Sequence, residues 1–199
     1  MATNRPHPHE DARPPRRRAW WRLGALVLLL AGVACLVLRR RRRAMLPHGA
    51  PSFARAFEVA APVERVAAFH EGPDALRRLQ PPGSGATFHR VDPLGEGSVT
   101  EFTMGRWPLA IRWRAVHRDV TPGHGFTDVQ VAGPMREWIH RHEYRALDRA
   151  RTRVSDRIWY RHPDGPRGVA TRLIFNPVAL GVLFRYRAHA TRCAVRAGQ

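Results

Sequence analysis

The sequence predicts an α+β domain in which a curved antiparallel sheet of about seven strands wraps around a long C-terminal helix, preceded by a single transmembrane helix. Three observations carry this. Between Thr87 and Tyr160 six short segments alternate apolar and polar residues, with turn residues between them, which is the pattern of an antiparallel meander. From Val169 to Arg196 the spacing lengthens to that of a helix. Leu23 to Leu38 reads LGALVLLLAGVACLVL without a charge. One helix covers only one face of an antiparallel sheet, so the sheet has to curl around it.

The 199 residues allow one folded domain and an appendage. All 34 basic residues are arginine, and against 16 acids they leave a net charge of +18. Residues 1–50 hold 11 arginines against Glu10 and Asp11, a net of +9, and the rest of the chain holds 23 against 14 acids, again +9. Arginine to the exclusion of lysine also matches the coding bias of a GC-rich genome, so the charge is no argument for nucleic acid as a partner. Two cysteines, Cys35 and Cys193, build neither a disulfide framework nor a thiolate zinc site.

Residues 1–18, with their prolines, histidines and arginines, hold too little apolar content to fold and read as a disordered basic tail. Residues 19–43 read as the transmembrane helix: Ala19, Trp20 and Trp21 lengthen the apolar run to about 20 residues if Arg22 snorkels. The tryptophans suit one interface and Arg39 to Arg43 the other. The alternative is a signal peptide, though no convincing small-x-small cleavage site follows. Arginines on the two flanks nearly cancel, so the expectation is a single-pass membrane protein with the side of its domain open. Residues 44–51, with Pro47 and Gly49, read as a linker.

Residues 52–196 form the folded part. Ser52 to Ala60 is extended, and Pro62 to Leu79 opens with proline and places Val63, Val66, Phe69, Leu76 and Leu79 at helical spacing. Gly72-Pro73 divides that helix and Pro81-Pro82-Gly83 ends it. Strands follow at Thr87 to Val91, Ser98 to Met104, Leu109 to Val120, Gly125 to Val131, Glu137 to Leu147 and Thr152 to Tyr160. Leu173, Leu180, Phe184, Ala188 and Thr191 then share one face of the last helix, which Asn176-Pro177 caps or kinks.

This order, with the strand Trp138-x-His140-x-His142-x-Tyr144, resembles the helix-grip fold of the SRPBCC (START-like) superfamily, in its bacterial branch of cyclase/dehydrase-type ligand-binding proteins. The resemblance covers Ser52 to Arg196, including Phe126 to Gln130, Gly133 to Tyr144, Pro62 to Val66 and Thr152 to Tyr160. Met135 departs from it where an aromatic is expected, as does Arg149-Ala150-Arg151 in a turn that is usually glycine-rich. The resemblance implies a deep apolar cavity between sheet and helix, holding a lipid, quinone, polyketide or similar hydrophobic molecule.

Side chains two apart in a strand share a face, so Trp138, His140, His142 and Tyr144 point one way and Glu137, Arg141, Glu143 and Arg145 the other. By the same rule Leu109, Ile111, Trp113 and Ala115 share a face, as do Val154, Asp156, Ile158 and Tyr160. If these faces are concave, Trp113, Trp138, Tyr144, Ile158, Tyr160 and Phe184 are the apolar ligand contacts. His140, His142 and Asp156, with Asp128 or Gln130, are then the polar ones. The same polar residues serve equally as a buried cluster that fixes strand register.

A metal would need a carboxylate, Asp128 or Asp156, beside the two histidines, and neither a metal nor a cofactor is expected. Catalysis by His140, His142 and Asp156 is the alternative to binding: a histidine oriented by a carboxylate acts as general acid or base in a cyclisation or dehydration. The expected partners are a hydrophobic small molecule or lipid, and the membrane with its anionic headgroups.

Overall fold

The computed structural model describes residues 47, 49–106 and 110–197. The tail and the transmembrane helix expected over residues 1–43 lie outside the described residues, as do Leu109 and part of the linker. Among the described residues no single helix is long and apolar enough to cross a membrane.

Seven strands form one sheet: β1 (Phe53–Val59), β2 (Thr87–Val91), β3 (Val99–Met104), β4 (Ile111–Thr121), β5 (Gly125–Ala132), β6 (Glu137–Ala146) and β7 (Thr152–Arg161). The helices are α1 (Val63–Glu71), α2 (Ala75–Arg78), α3 (Gly165–Ile174) and α4 (Pro177–Ala197). Sheet order is β1-β7-β6-β5-β4-β3-β2 with antiparallel neighbours throughout. The meander from β2 to β7 is consecutive, and α1 and α2 carry the chain from β1 at one edge to β2 at the other.

Local chemistry explains the boundaries. Pro62, at the N-terminus of α1, has no amide hydrogen to lose. Gly72 leaves α1 in an extended conformation, Pro73 follows, and the Ala75 N–H donates to the Gly72 carbonyl as α2 starts. Gly125 opens β5 at a φ of 141°, and a Cβ there would lie 2.0 Å from the His142 carbonyl oxygen, so only glycine lets β5 and β6 close up beside the site.

The expected single C-terminal helix is two, α3 and α4, bent by 43°. Asn176 is the reason. Its side-chain oxygen accepts the Ala179 N–H (2.9 Å), capping α4 with Pro177 as the first helical residue, and its Nδ2 donates to the Leu173 carbonyl (2.9 Å), closing α3. Leu173 therefore does not join the buried face with Leu180, Phe184, Ala188 and Thr191; it is 74% exposed. Val169 on α3 and Val178 and Val182 on α4 are exposed as well.

Helix α4 packs against β1 and α1, and two apolar clusters lie beneath it. One joins Phe57, Val66, Phe126, Tyr144, Val154 and Ala188, and the other joins Phe102, Trp113, Trp138, Ile158, Phe175 and Phe184.

Candidate functional site

The second cluster is hollow. A cavity of about 520 Å³ lies between α1, α2, strands β3 to β6 and α4. This is the size of a small-molecule pocket. Its apolar wall includes Phe102, Trp113, Trp138, Phe175, Leu180 and Phe184. The rings brace one another: Trp113 meets Trp138 edge-on at 5.3 Å between centroids and Phe102 at 6.1 Å, and Phe175 meets Trp138 at 5.9 Å. Edge-to-face and offset contacts of this kind hold rings in place without filling the space in front of them.

The polar wall is built by strand register. His142 stands opposite Asp156 on β7 and Phe126 on β5, and Asp128 stands between His140 on β6 and His117 on β4. Same-face neighbours directly opposite or on the diagonal are within reach across a sheet, so five side chains from four strands join into one chain. His140 Nε2 donates to Asp156 Oδ1 (3.0 Å), and His142 Nδ1 lies 3.0 Å from the same oxygen, an ion-pair distance off the line of a hydrogen bond. His142 Nε2 donates to Asp128 Oδ2 (3.1 Å), and His117 Nε2 lies 3.1 Å from Asp128 Oδ1. His117 Nδ1 is 2.8 Å from Ser98 Oγ, whose own hydrogen goes to the Gly95 carbonyl, so Nδ1 is the donor of that pair.

Charge follows from these contacts. Burial alone would push the His142 pKa down, but the bond to Asp128, the oxygen of Asp156 and both carboxylate charges raise it to about 9. For His117 burial is likewise outweighed by Asp128, and its pKa rises. Burial and the neighbouring His142 cation lower the His140 pKa to about 4, against the pull of Asp156. Burial would raise both aspartates, and the histidines instead hold Asp128 and Asp156 below the usual carboxylate range. At neutral pH the chain thus has two anions, Asp128 and Asp156, beside the His142 cation and a neutral His140, with the His117 pKa raised by Asp128. The His140 and His142 rings lie 3.8 Å apart between centroids, tilted by 43°.

His70 on α1 also borders the cavity. The Thr191 hydroxyl donates to the Arg187 carbonyl (2.9 Å), so it accepts from His70 Nε2 (3.2 Å). Burial lowers the His70 pKa to about 3, opposed by the charge of Asp156, and keeps the ring neutral.

Of the residues expected from the sequence, Trp113, Asp128, Trp138, His140, His142 and Phe184 line the cavity. Tyr144, Asp156, Ile158 and Tyr160 share the same sheet face but do not line it, because other groups cover them. Tyr144 lies under the His70 ring of α1 at 5.1 Å, and Asp156 lies beneath the two histidines. Ile158 is fully buried in the cluster with Phe184, and Tyr160 stacks on Trp138 at 5.8 Å. Gln130 instead ties down the next turn, with Nε2 donating to the Met135 carbonyl (2.8 Å).

His117, His70 and Arg187 were not anticipated. Extending the alternation of Trp113 and Ala115 by one step reaches His117, and the helical face of Phe184 and Thr191 contains Arg187.

Asp128, His140 and His142 each bring a ligand atom within 4.8 Å of the others, a set that a divalent ion could join. Here His142 Nε2 and Asp128 Oδ2 are spent on each other, and a doubly protonated His142 has no lone pair to offer.

No protein-family model and no curated protein matches the chain. Solved structures do. A norcoclaurine synthase from Thalictrum flavum, in complex with dopamine and hydroxybenzaldehyde, is 16% identical with a TM-score of 0.56, over 74% of this chain and 87% of that one. An aromatase/cyclase from Streptomyces sp. R1128 is 14% identical with a TM-score of 0.52, over 72% and 89%. A nucleoside-diphosphate sugar epimerase from Corynebacterium glutamicum is 24% identical with a TM-score of 0.55; the match covers 71% of this chain but spans only 28% of that protein. These similarities show the fold, a helix-grip arrangement of antiparallel sheet and C-terminal helix.

Proposed function

We propose that this chain binds a hydrophobic small molecule or lipid in the cavity between the sheet and α4. The observation that carries the reading is the cavity itself: about 520 Å³ walled by mutually braced aromatic rings, with the polar wall of His117, Asp128, His140 and His142 set into the sheet. That is the composition of a site that holds an apolar body and orients one polar end. We further propose that the apolar run at residues 23–38 tethers the domain to a bilayer in which such a molecule partitions. The arginine-rich surface and the exposed Val169, Leu173, Val178 and Val182 support contact with anionic lipid.

Extraction and native mass spectrometry of the full-length protein test this, with Ala115→Phe as the comparison. Ala115 is buried in the cavity wall, so phenylalanine there fills the space. One apolar species in near-stoichiometric amount, lost from the folded variant, is the expected outcome. The same lipid profile in both proteins would sink the proposal.

A second reading, proton transfer on the bound molecule, is favoured by His140 and His142. Two adjacent histidines with pKa values of about 4 and about 9, joined through Asp156, bracket neutral pH as a base and an acid. Two proteins of the same fold are named as a synthase and an aromatase/cyclase, which is compatible with such chemistry. His140→Gln separates the readings, since an enzyme loses turnover and keeps binding whereas a carrier has no turnover to lose.

A further inference from the structure

We infer that the ligand carries a single anionic head, a carboxylate at one end of its apolar body, and that Arg187 holds it. The inference rests on the cavity being a binding site, and it names the class of molecule.

Arg187 follows Phe184 by three residues and precedes Thr191 by four, so all three lie on the inward face of α4, and Arg187 lines the cavity. Its guanidinium carbon sits 5.0 Å over the Phe184 ring, and its Nε is enclosed without a hydrogen-bond partner. No carboxylate oxygen among the described residues comes within 4.0 Å of it. The acids nearby are occupied: Asp128 by His117 and His142, Asp156 by His140 and His142, and Glu71 by the Gly123 N–H (2.9 Å).

Both carboxylates of the buried chain are already engaged, each by two histidines. Arg187 is therefore a positive charge with no carboxylate partner among the described residues, set against a largely apolar cavity, an arrangement that is costly unless an anion completes it. A planar guanidinium with free N–H groups matches the two oxygens of a carboxylate. Away from Arg187 and the histidines and carboxylates already engaged with one another, the wall is mainly aromatic and aliphatic, so the rest of the molecule is apolar.

The test is equilibrium binding to the full-length protein in neutral detergent, using two pairs that differ in charge. One pair is cis-parinaric acid and its methyl ester, for an alkyl body, and the other is 2-naphthoate and 2-naphthamide, for an aromatic one. In the wild type the acid of at least one pair binds about tenfold or more tightly than its neutral counterpart. Which pair responds tells an alkyl from an aromatic source. In Arg187→Gln the preference disappears while the neutral compound still binds, and Arg187→Lys restores part of it.

Equal affinity within both pairs overturns the inference and leaves the binding reading intact. A preference that survives Arg187→Gln removes Arg187 as the anchor. Failure of all four probes to bind overturns both. Should Arg187→Gln fail to fold, the wild-type comparison and Arg187→Lys still decide.

Discussion

The two apolar clusters under α4 use similar residues to opposite ends. Around Phe57, Val66, Val154 and Ala188 the space between sheet and helix is closed, and Val66 and Val154 have no exposed surface. Around Trp113, Trp138, Phe175 and Leu180 the same two layers enclose an open volume. Aliphatic side chains in the first collapse onto one another. The rings of the second are propped by their neighbours at 5 to 6 Å and cannot fold inward without losing those contacts. The histidine–carboxylate chain runs along the seam, where Phe126 of the closed cluster stacks on His142 at 4.5 Å. A cavity in this fold is thus made by bracing its wall, and the charges of the histidine–carboxylate chain are paired before any ligand arrives.

The seam is where a single change does most damage. Asp156→Ala leaves the His142 cation with one carboxylate and the His140 N–H with none, so unfolding free energy should fall by about 3 to 5 kcal/mol. Asp156→Asn keeps an acceptor oxygen and should fall between that variant and the wild type. Urea denaturation monitored by circular dichroism measures both. A loss under about 1 kcal/mol for Asp156→Ala would mean that the chain opens to water and the seam is not a sealed boundary.

The contrast between closed and hollow clusters is tested by removing one ring from each. Phe57→Ala in the closed cluster should cost about 3 to 5 kcal/mol, the usual range for a buried phenylalanine. Phe175 is equally buried but borders the cavity, so it has partner atoms on fewer sides, and Phe175→Ala should cost clearly less while changing ligand affinity. Equal losses in the same denaturation series would show that the cavity closes up in solution.

The seam also makes stability depend on pH in both directions. The raised pKa of His142, about 9, contributes stability that is complete below its unfolded value near 6.5 and is lost as pH rises through 9. His117 adds to this arm in the same direction. His70 and His140, lowered to about 3 and about 4, act oppositely: the unfolded chain takes up their protons below 6.5 and the folded chain does not. Stability should therefore peak near pH 6.5 and drop by about 2 kcal/mol one unit lower, two histidines contributing. The lowered aspartates lose their contribution only below about pH 4. Urea midpoints from pH 5 to 9 check the shape, and a monotonic curve would mean that the two histidine populations are not separated.

Much of this was legible in the sequence, and the rest was hidden for definable reasons. Alternation places Trp138, His140 and His142 on one face because a strand's period of two is enforced by the backbone. It says nothing of what lies on that face, so Tyr144 under α1 and Trp138 at the cavity look alike. Register across strands is set by turns such as Gly125 and by bulges in β4, and without it Asp128 could not be joined to both His117 and His142. Arg187 reads as solvent-facing by residue type alone. Only the count of carboxylates already taken by histidines reveals it as unpaired.

The smallest expected effect tests the one helical face that spacing misread. Leu173 and Leu180 are seven residues apart, a spacing that would stack them on a straight helix, and on that reading each would bury its side chain against the sheet. Asn176 bends the chain between them, which turns Leu173 to solvent and leaves Leu180 only 2% exposed. Leu180→Ala should then cost about 2 to 5 kcal/mol, and Leu173→Ala within about 0.5 kcal/mol of nothing. Asn176→Ala removes the bonds that close α3 and cap α4, and should cost about 1 kcal/mol. A large loss from Leu173→Ala in the isolated wild-type background would mean that α3 and α4 join into one straight helix in solution, and the cavity wall at Phe175 would have to be rebuilt with it.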